Sequence, residues 1–152
     1  MIVRPLAPGD VPALCARVVT LPLLVRYRHT AASLAVDLQA GVARGESVLV
    51  AEDDDGHPCG LAWFLPRGTF GLGGYLRLIA VAPDAHRRGV GGALLQAFEA
   101  AVGMQARHAF LLVSDFNRDA QRFYARHGYV EAGALPQLVL ADVDERIYWK
   151  RL

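Results

Sequence analysis

The sequence predicts a mixed α/β (α+β) fold in which one parallel strand–helix–strand unit lies within a sheet that otherwise meanders. Three observations carry this prediction. The run HAFLLVS is continuously apolar, which is typical of a strand buried on both faces. A glycine-rich stretch and an apolar helical stripe separate it from an earlier strand, YLRLIAVAP. Strands joined through a long helix pair in parallel, whereas the other apolar runs are divided by short turn segments that favour antiparallel hairpins.

Length and composition indicate one ordinary domain, predicted to span residues 1–152. The chain carries 16 Lys and Arg against 15 Asp and Glu, so no overall basic field favours a nucleic-acid partner. Cys15 and Cys59 have neither the pattern of a disulfide framework nor the spacing of a metal site, and buried free thiols are typical of a reducing compartment. No apolar run reaches about 18 residues. We therefore expect a cytoplasmic protein with no metal, membrane or nucleic-acid partner.

The first elements are a strand and two helices. IVRPL is predicted as a short strand, after which Asp10 is placed to cap a helix that accepts Pro12 in its first turn. A second helix is predicted over residues 31–43, behind a cap at Thr30. Its apolar stripe consists of three residues at fourfold spacing, Leu34, Leu38 and Val42.

The middle of the chain is predicted as a hairpin followed by the parallel unit. SVLVAEDDDGHPCGLAWFLP contains two apolar runs around an acidic turn with Gly56 and Pro58. YLRLIAVAP is a strand that Pro83 closes, and a helix begins after Gly89. The apolar face of this helix is formed by Leu94, Leu95, Phe98, Ala101 and Val102.

The last third of the chain completes the sheet. HAFLLVS is the second parallel strand, and a helix from residue 117 to about 127 ends at Gly128. YVEAG and ERIYWKRL are the closing strands. An exposed final strand with Tyr148 and Trp149 could pair across a homodimer or form an ordinary sheet edge.

The stretch HRRGVGGALL, whose residues 86–93 we call the glycine loop, places two arginines and three glycines where a helix begins. Glycine is a poor helix former, so it serves either a tight structural turn or an anion site made of bare amides at the helix N-terminus. A P-loop sequence is absent. A dinucleotide fingerprint fails because Leu94 takes the place of its third glycine and APDAHRR intervenes after the strand. A nicotinamide- or nucleotide-binding protein therefore ranks third, behind the two functions described below.

A second pattern lies in SDFNRDAQRFYARHGYVEAG. Helical periodicity places Asn117, Ala120 and Tyr124 on one face. Because Ala120 is small, a slender ligand could lie between the two polar side chains. The alternative is an amphipathic helix that uses Phe123 and Tyr124 only as core residues.

These two patterns, in this order, resemble the two signatures of the GNAT acyltransferase superfamily. The first signature is Arg or Gln, two residues, Gly, any residue, and Gly or Ala; Gly89 and Gly91 match it, while its Arg or Gln position falls on His86. The second is Asn, two residues, Ala, then Tyr and a Gly-aromatic ending. The resemblance implies a mostly antiparallel central sheet with a splayed parallel pair at its centre and helices on both faces. It also implies an N-acetyltransferase that uses acetyl-CoA as co-substrate and a primary amine of a small molecule or peptide as acceptor.

The resemblance further implies where the coenzyme binds. The loop amides would hold the diphosphate, with His86, Arg87 or Arg88 supplying positive charge. Main-chain groups of the preceding strand would take the pantetheine arm as an added strand, and one amide there would face the acetyl oxygen. The implied coenzyme-binding residues are Ile79, Ala80, Val81, His86, Arg87, Arg88, Gly89, Val90, Gly91, Gly92, Ala93, Asn117, Ala120 and Tyr124.

The implied reaction is direct acetyl transfer through a tetrahedral intermediate. Tyr124 occupies the position that donates a proton to the leaving sulfur, since a phenol of pKa about 10 is protonated at neutral pH. An alkyl ammonium costs about 4.6 kcal/mol to deprotonate at pH 7, so a base is needed. Asp115 is the first candidate for that base and Glu52 the second.

The resemblance implies an acceptor pocket near VRYRHT, in the loop between the first two predicted helices. Arg26, Tyr27 and Arg28 could bind an acceptor that carries a carboxylate, or could form an exposed basic loop without a ligand. Trp63 and Phe64 could line the same pocket or pack in the core. The alternative function is a non-catalytic acyl-CoA-binding sensor or interaction domain of the same fold.

Overall fold

A seven-stranded sheet in the order β1-β2-β3-β4-β5-β7-β6 runs through the molecule, for which a computed structural model describes residues 1–152. Only β4 and β5 are parallel neighbours; every other pair is antiparallel. The mixed fold with one parallel unit is thereby confirmed. The strands are β1 Ile2–Pro5, β2 Ser47–Glu52, β3 Pro58–Thr69, β4 Gly73–Val81, β5 His108–Ser114, β6 Val130–Leu135 and β7 Glu145–Arg151.

Helices cover both faces of this sheet, as expected. They are α1 Val11–Val18, α2 Pro22–Arg26, α3 Ala31–Ala43, α4 Val90–Gly103 and α5 Arg118–Arg126. The apolar sides of α1, α2 and α3 form one buried core, and those of α4 and α5 form a second core on the opposite face. No sequence pattern predicted the short helix α2. No helix combines the length and apolar character that a membrane crossing requires.

The first helix begins differently from the prediction. A 3₁₀ turn, Pro8–Asp10, precedes α1, and the Asp10 side chain makes no capping hydrogen bond to it. Instead, the Asp10 carboxylate accepts hydrogen bonds from the Arg4 guanidinium at 2.7 and 2.9 Å and from the Ala7 amide at 2.7 Å. A bidentate pair with a guanidinium is stronger than a single cap hydrogen bond from a backbone amide, so Asp10 ties β1 to the start of the helix. Pro12 does lie in the first turn of α1.

The bounds and the cap of α3 match the prediction. The Thr30 hydroxyl accepts a hydrogen bond from the Ser33 amide at 3.0 Å. Leu34 and Leu38 are buried, but Val42 is 47% exposed. The buried face continues through Gly41 instead, because this helix crosses closely over a tryptophan of β3.

Gly41→Ala is expected to lower the free energy of unfolding by about 1–2 kcal/mol, although alanine is the better helix former. A Cβ atom at residue 41 would lie 2.6 Å from Cζ2 of Trp63 and 2.8 Å from Oε2 of Glu46. Trp63 is buried and cannot retreat without disturbing its neighbours. Urea unfolding measures the effect. Gly103→Ala is the matched control, since nothing lies within 4 Å of its added Cβ; equal changes at both positions would contradict the explanation.

The parallel pair splays apart halfway along β4. Pairing with β5 ends where Leu76 faces Leu111. The register between β3 and β4 then skips Arg77, which makes it a β-bulge. Because a bulge bends its strand, the second half of β4 diverges from β5 and a cleft opens between them. The splayed central pair implied by the resemblance is therefore present.

Strand β5 is buried less evenly than predicted. Ala109, Leu111 and Val113 are buried, whereas Phe110 and Leu112 are only half-buried. The expectation of burial on both faces is wrong for these alternate positions. Leu112 is partly open because it lines the cleft.

The final strand is not at the edge of the sheet. It lies between β5 and β6, and Tyr148 is buried in the core beside α5. Tyr148 therefore cannot form the exposed dimer contact considered from the sequence. The edge is β6 instead, and all six of its residues are exposed.

Candidate functional site

The cleft between the diverging halves of β4 and β5 collects residues from four elements. Leu23 of α2 lies at one side, and the face of α5 closes the other. The remaining lining is mostly apolar with a few polar groups, as is usual for ligand sites. The lining residues are Leu23, Leu76, Arg77, Leu78, Ile79, Leu112, Val113, Ser114, Asn117, Ala120 and Tyr124.

Main-chain groups of β4 face this cleft in alternation. The Ala82 amide donates a hydrogen bond to the Cys59 carbonyl at 2.8 Å, which sets the phase of the antiparallel ladder. Ala80 is consequently a hydrogen-bonded partner of Leu61, and its amide and carbonyl face β3. The amides and carbonyls of Ile79 and Val81 face the cleft.

His86 contacts one of these carbonyls. Its Nε2 lies 2.8 Å from the Val81 carbonyl oxygen, so Nε2 carries a proton and donates it. The remaining ring nitrogen, Nδ1, is left for another partner. The side chain thus ties the glycine loop to the end of β4.

The glycine loop presents a run of free amides. None of the main-chain amides of residues 87–92 donates a hydrogen bond to an acceptor in the chain, and the first bond of α4 runs from Ala93 to the Gly89 carbonyl at 3.0 Å. Gly89 has φ +77° and Arg87 has φ +65°, which turns successive amides toward a common centre. Such a nest at a helix N-terminus attracts anions, and exposed Arg87 and Arg88 flank it.

Two of the loop glycines are not required by the packing of the chain. A Cβ atom on Gly91 would meet Phe123 at 3.5 Å, and one on Gly92 would meet Nε2 of His127 at 3.4 Å. The fold would therefore accept alanine at residue 91, and the absence of a side chain there leaves room for a ligand to approach the backbone. No sequence pattern indicated that His127 lies beside the glycine loop. Its Nδ1 donates a hydrogen bond to the Phe123 carbonyl at 2.8 Å.

Tyr124 belongs both to the core cluster and to the lining of the cleft. The ring packs edge-to-face against Phe123 and Tyr129, with centroid distances of 5.1 and 5.7 Å. Burial alone raises the pKa of the Tyr124 phenol, and no hydrogen bond or charge contributes. The hydroxyl therefore stays protonated and is free to donate to a ligand in the cleft.

Asn117 and Ala120 lie beside this phenol. The Asn117 side-chain oxygen caps α5 by accepting a hydrogen bond from the Ala120 amide at 3.2 Å. Its NH₂ group is left for a ligand carbonyl. Both residues line the cleft, so Asn117, Ala120 and Tyr124 share one face as predicted.

Comparison with protein families shows the family of this chain. A family model described as an acetyltransferase (GNAT) domain matches residues 44–131. This match covers more than half of the chain and includes both the glycine loop and α5. The chain belongs to the GNAT acetyltransferase family.

Three solved structures share this fold over 97–100% of their own length. A GNAT-family acetyltransferase from Desulfovibrio desulfuricans is 25% identical with a TM-score of 0.81, over 99% of this chain and 98% of that one. Ard1 from Thermoplasma volcanium is also 25% identical, with a TM-score of 0.78 over 99% and 97%. A ribosomal-protein-alanine N-acetyltransferase from Brucella melitensis, at 24% identity and a TM-score of 0.78 over 100% of both chains, shows the fold alone. No curated protein matches this sequence.

The two carboxylates considered as a base in this GNAT protein are not among the residues that line the cleft. The Asp115 carboxylate accepts a hydrogen bond from the Asp144 amide at 3.1 Å, and the Asp115 amide donates to the Asp144 carbonyl at 2.9 Å. Glu52 pairs with Arg4 at 2.6 Å, near the opposite edge of the sheet. Asp115 thus holds the segment that leads into β7, and Glu52 holds β1.

The acceptor-side residues of this GNAT protein separate in the structure. The Arg26 guanidinium pairs with Asp142 at 3.0 Å and lies 4.6 Å from the Phe116 ring centroid. Arg28 is exposed and has φ +60°. The Tyr27 hydroxyl alone turns inward, toward the end of β5.

Trp63 and Phe64 belong to the core rather than to an acceptor pocket. They are 3% and 2% exposed, and neither lines the cleft. The Trp63 indole donates a hydrogen bond to Glu46 at 2.7 Å. Of the two possibilities considered from the sequence, the structure supports core packing for both residues.

Proposed function

We propose that this protein transfers the acetyl group of acetyl-CoA to a primary amine of a small molecule or peptide, directly and through a tetrahedral intermediate. Two features carry the proposal: the free amides of residues 87–92, which lie next to Val81 at the end of β4, and the Tyr124 phenol, which has no hydrogen-bond partner and belongs to the cleft lining. One elongated ligand that has a diphosphate at one end and a thioester at the other would contact both. The GNAT family supports acetyl-CoA as that ligand.

The coenzyme would be held mainly by main-chain groups. Its diphosphate would accept hydrogen bonds from the amides of residues 87–92, with Arg87 and Arg88 adding positive charge. Its pantetheine arm would lie along β4 and use the amides of Ile79 and Val81 and the Ile79 carbonyl, which the splay leaves without a strand partner. The Asn117 NH₂ group would donate to an amide carbonyl of the same arm.

The acetyl group would then lie beside Tyr124. As the amine attacks, charge develops on the thioester oxygen, and a β4 amide in the cleft would stabilise it. When the intermediate collapses, Tyr124 would give its proton to the leaving sulfur. Apolar surroundings raise the pKa of this phenol, and they also disfavour the charged thiolate that receives the proton. Because these two effects act in opposite directions on the proton transfer, burial alone does not prevent it.

An acetyl-CoA consumption screen over a panel of amines tests this proposal, together with calorimetric titration of CoA, NAD and ATP. Turnover with at least one amine and selective binding of CoA are expected. CoA binding without turnover over a broad panel would support the acyl-CoA sensor instead. Indifference to all three nucleotides would refute the proposed acetyl-CoA site.

A further inference from the structure

A buried polar cluster lies at the cleft end of β5. The Tyr27 hydroxyl is 2.7 Å from Oγ of Ser114 and donates a short hydrogen bond to Oε1 of Glu145. Oγ of Ser114 lies 3.3 Å from each carboxylate oxygen of Glu145. Ser114 is 4% exposed and Glu145 is 5% exposed. The hydrogen-bond partners of this buried carboxylate are thus two hydroxyl groups, with no cation among them.

The main chain holds this cluster rigidly. Ser114 and Glu145 are directly opposite in the ladder between β5 and β7. The Gln121 side chain donates to the Ser114 carbonyl at 3.2 Å, and the paired main chains of Asp115 and Asp144 fix the residues on either side. The carboxylate of Asp115 therefore positions the strand that carries Glu145.

The available protons determine which way the Ser114 hydroxyl points. Burial and the neighbouring carboxylate raise the pKa of Tyr27 to about 12, so the phenol keeps its single proton and donates it to Glu145. Oγ of Ser114 must then donate its own proton into the cluster, to Tyr27 or to Glu145. Its lone pairs remain for a donor in the cleft, which Ser114 lines together with Tyr124.

A carboxylate buried against neutral hydroxyls is destabilising unless something offsets its desolvation. An ammonium group that enters the cleft would offset it, because an opposite charge favours the ionised carboxylate. The cluster is accordingly suited to receive a cationic amine and to take protons from it.

We propose that Ser114 is a catalytic residue that accepts the proton of the attacking amine, and that Glu145 is the positioning residue that takes the proton of Ser114 in the same step. This inference rests on the proposed acetyl transfer. A substrate ammonium first loses one proton through Ser114 and Glu145 to water, which leaves the neutral amine. As the bond from nitrogen to the acetyl carbon forms, the remaining N–H proton moves to Oγ of Ser114 and the Ser114 proton moves to a Glu145 oxygen. The bond from carbon to sulfur then breaks, and sulfur takes the proton of Tyr124. After product release, Glu145 returns its proton to water and Tyr124 regains one.

Glu145→Gln and Ser114→Ala test this assignment with an amine that the screen finds active. Each variant is expected to lower kcat by on the order of 10²–10³-fold, with CoA affinity unchanged by calorimetry. Glu145→Asp is expected to recover part of the lost kcat, which a merely structural glutamate would not require. Glu131→Gln is the matched control, because this half-exposed carboxylate pairs with Arg146 on the neighbouring strand. Circular dichroism verifies that each variant is folded.

Three outcomes would overturn the assignment. Folded Glu145→Gln and Ser114→Ala variants that keep kcat within about threefold of the unmodified protein would exclude the relay. A loss confined to Asp115→Asn would make Asp115 the base, as the sequence suggested. If the unmodified protein binds CoA but acetylates no amine, the proposed function fails and the relay falls with it.

Discussion

Gly91→Asp is expected to abolish measurable CoA binding while the protein stays folded. The added carboxylate would stand among the free amides of residues 87–92, where it would take the place of the diphosphate and repel it. The fold should tolerate the change, since the new Cβ would make only ordinary contacts, at 3.5 Å from Phe123 and 3.8 Å from Val81. An acidic residue in the first turn of a helix is also favourable to the helix itself. Calorimetric titration with CoA measures the effect.

Two further variants separate charge from bulk at this position. Gly91→Ala adds a methyl group without charge and is expected to weaken binding by less than Gly91→Asp does. Gly103→Asp places the same side chain at the other end of α4, in open space, and should leave CoA affinity unchanged. Unchanged CoA affinity in a folded Gly91→Asp variant would refute the diphosphate site.

Tyr124→Phe is expected to lower kcat by on the order of 10²–10⁴-fold without changing CoA affinity. Phenylalanine keeps the ring that packs against Phe123 and Tyr129, so only the proton donor is lost. The leaving thiolate would then depart without a proton in an apolar cleft, where its charge is costly. Steady-state kinetics with an active amine measure kcat, and calorimetry measures the CoA affinity.

Tyr129→Phe is the matched control for this variant. The Tyr129 ring packs against the Tyr124 ring, and the Tyr129 hydroxyl is buried. Tyr129 does not line the cleft. Its removal should leave kcat within about threefold of the unmodified protein, well short of the loss expected for a missing general acid. Equal losses in both variants would indicate disturbed packing rather than proton transfer, and full activity of Tyr124→Phe would exclude Tyr124 as the acid.

The features predicted well are those that neighbouring residues determine. The Thr30 cap and the bounds of α3 follow from hydrogen bonds within a single turn. Gly89 begins α4 and Gly128 follows α5 in positive-φ conformations, which glycine adopts without strain. Asn117 and Tyr124 share a face because helical periodicity places them there.

The features missed depend on partners far away in the sequence. Asp10 pairs with Arg4 instead of capping α1, and Gly41 rather than Val42 meets the core because α3 crosses over Trp63. The final strand lies inside the sheet, since β6 returns to cover its outer side. None of these contacts leaves a periodic or spacing signal in the chain.

The sequence by itself determined the family, the parallel unit, the glycine loop and the position of the phenol, since each depends on local backbone preferences or on helical spacing. Only the tertiary structure decided where β4 leaves β5 and which groups surround the resulting cleft. The bulge at Arg77 depends on sheet register. Tyr27, Ser114 and Glu145 come from three distant segments and meet because strand pairing and the packing of α2 bring them together. Contacts of this kind arise when apolar faces are buried, and no stretch of neighbouring residues encodes them.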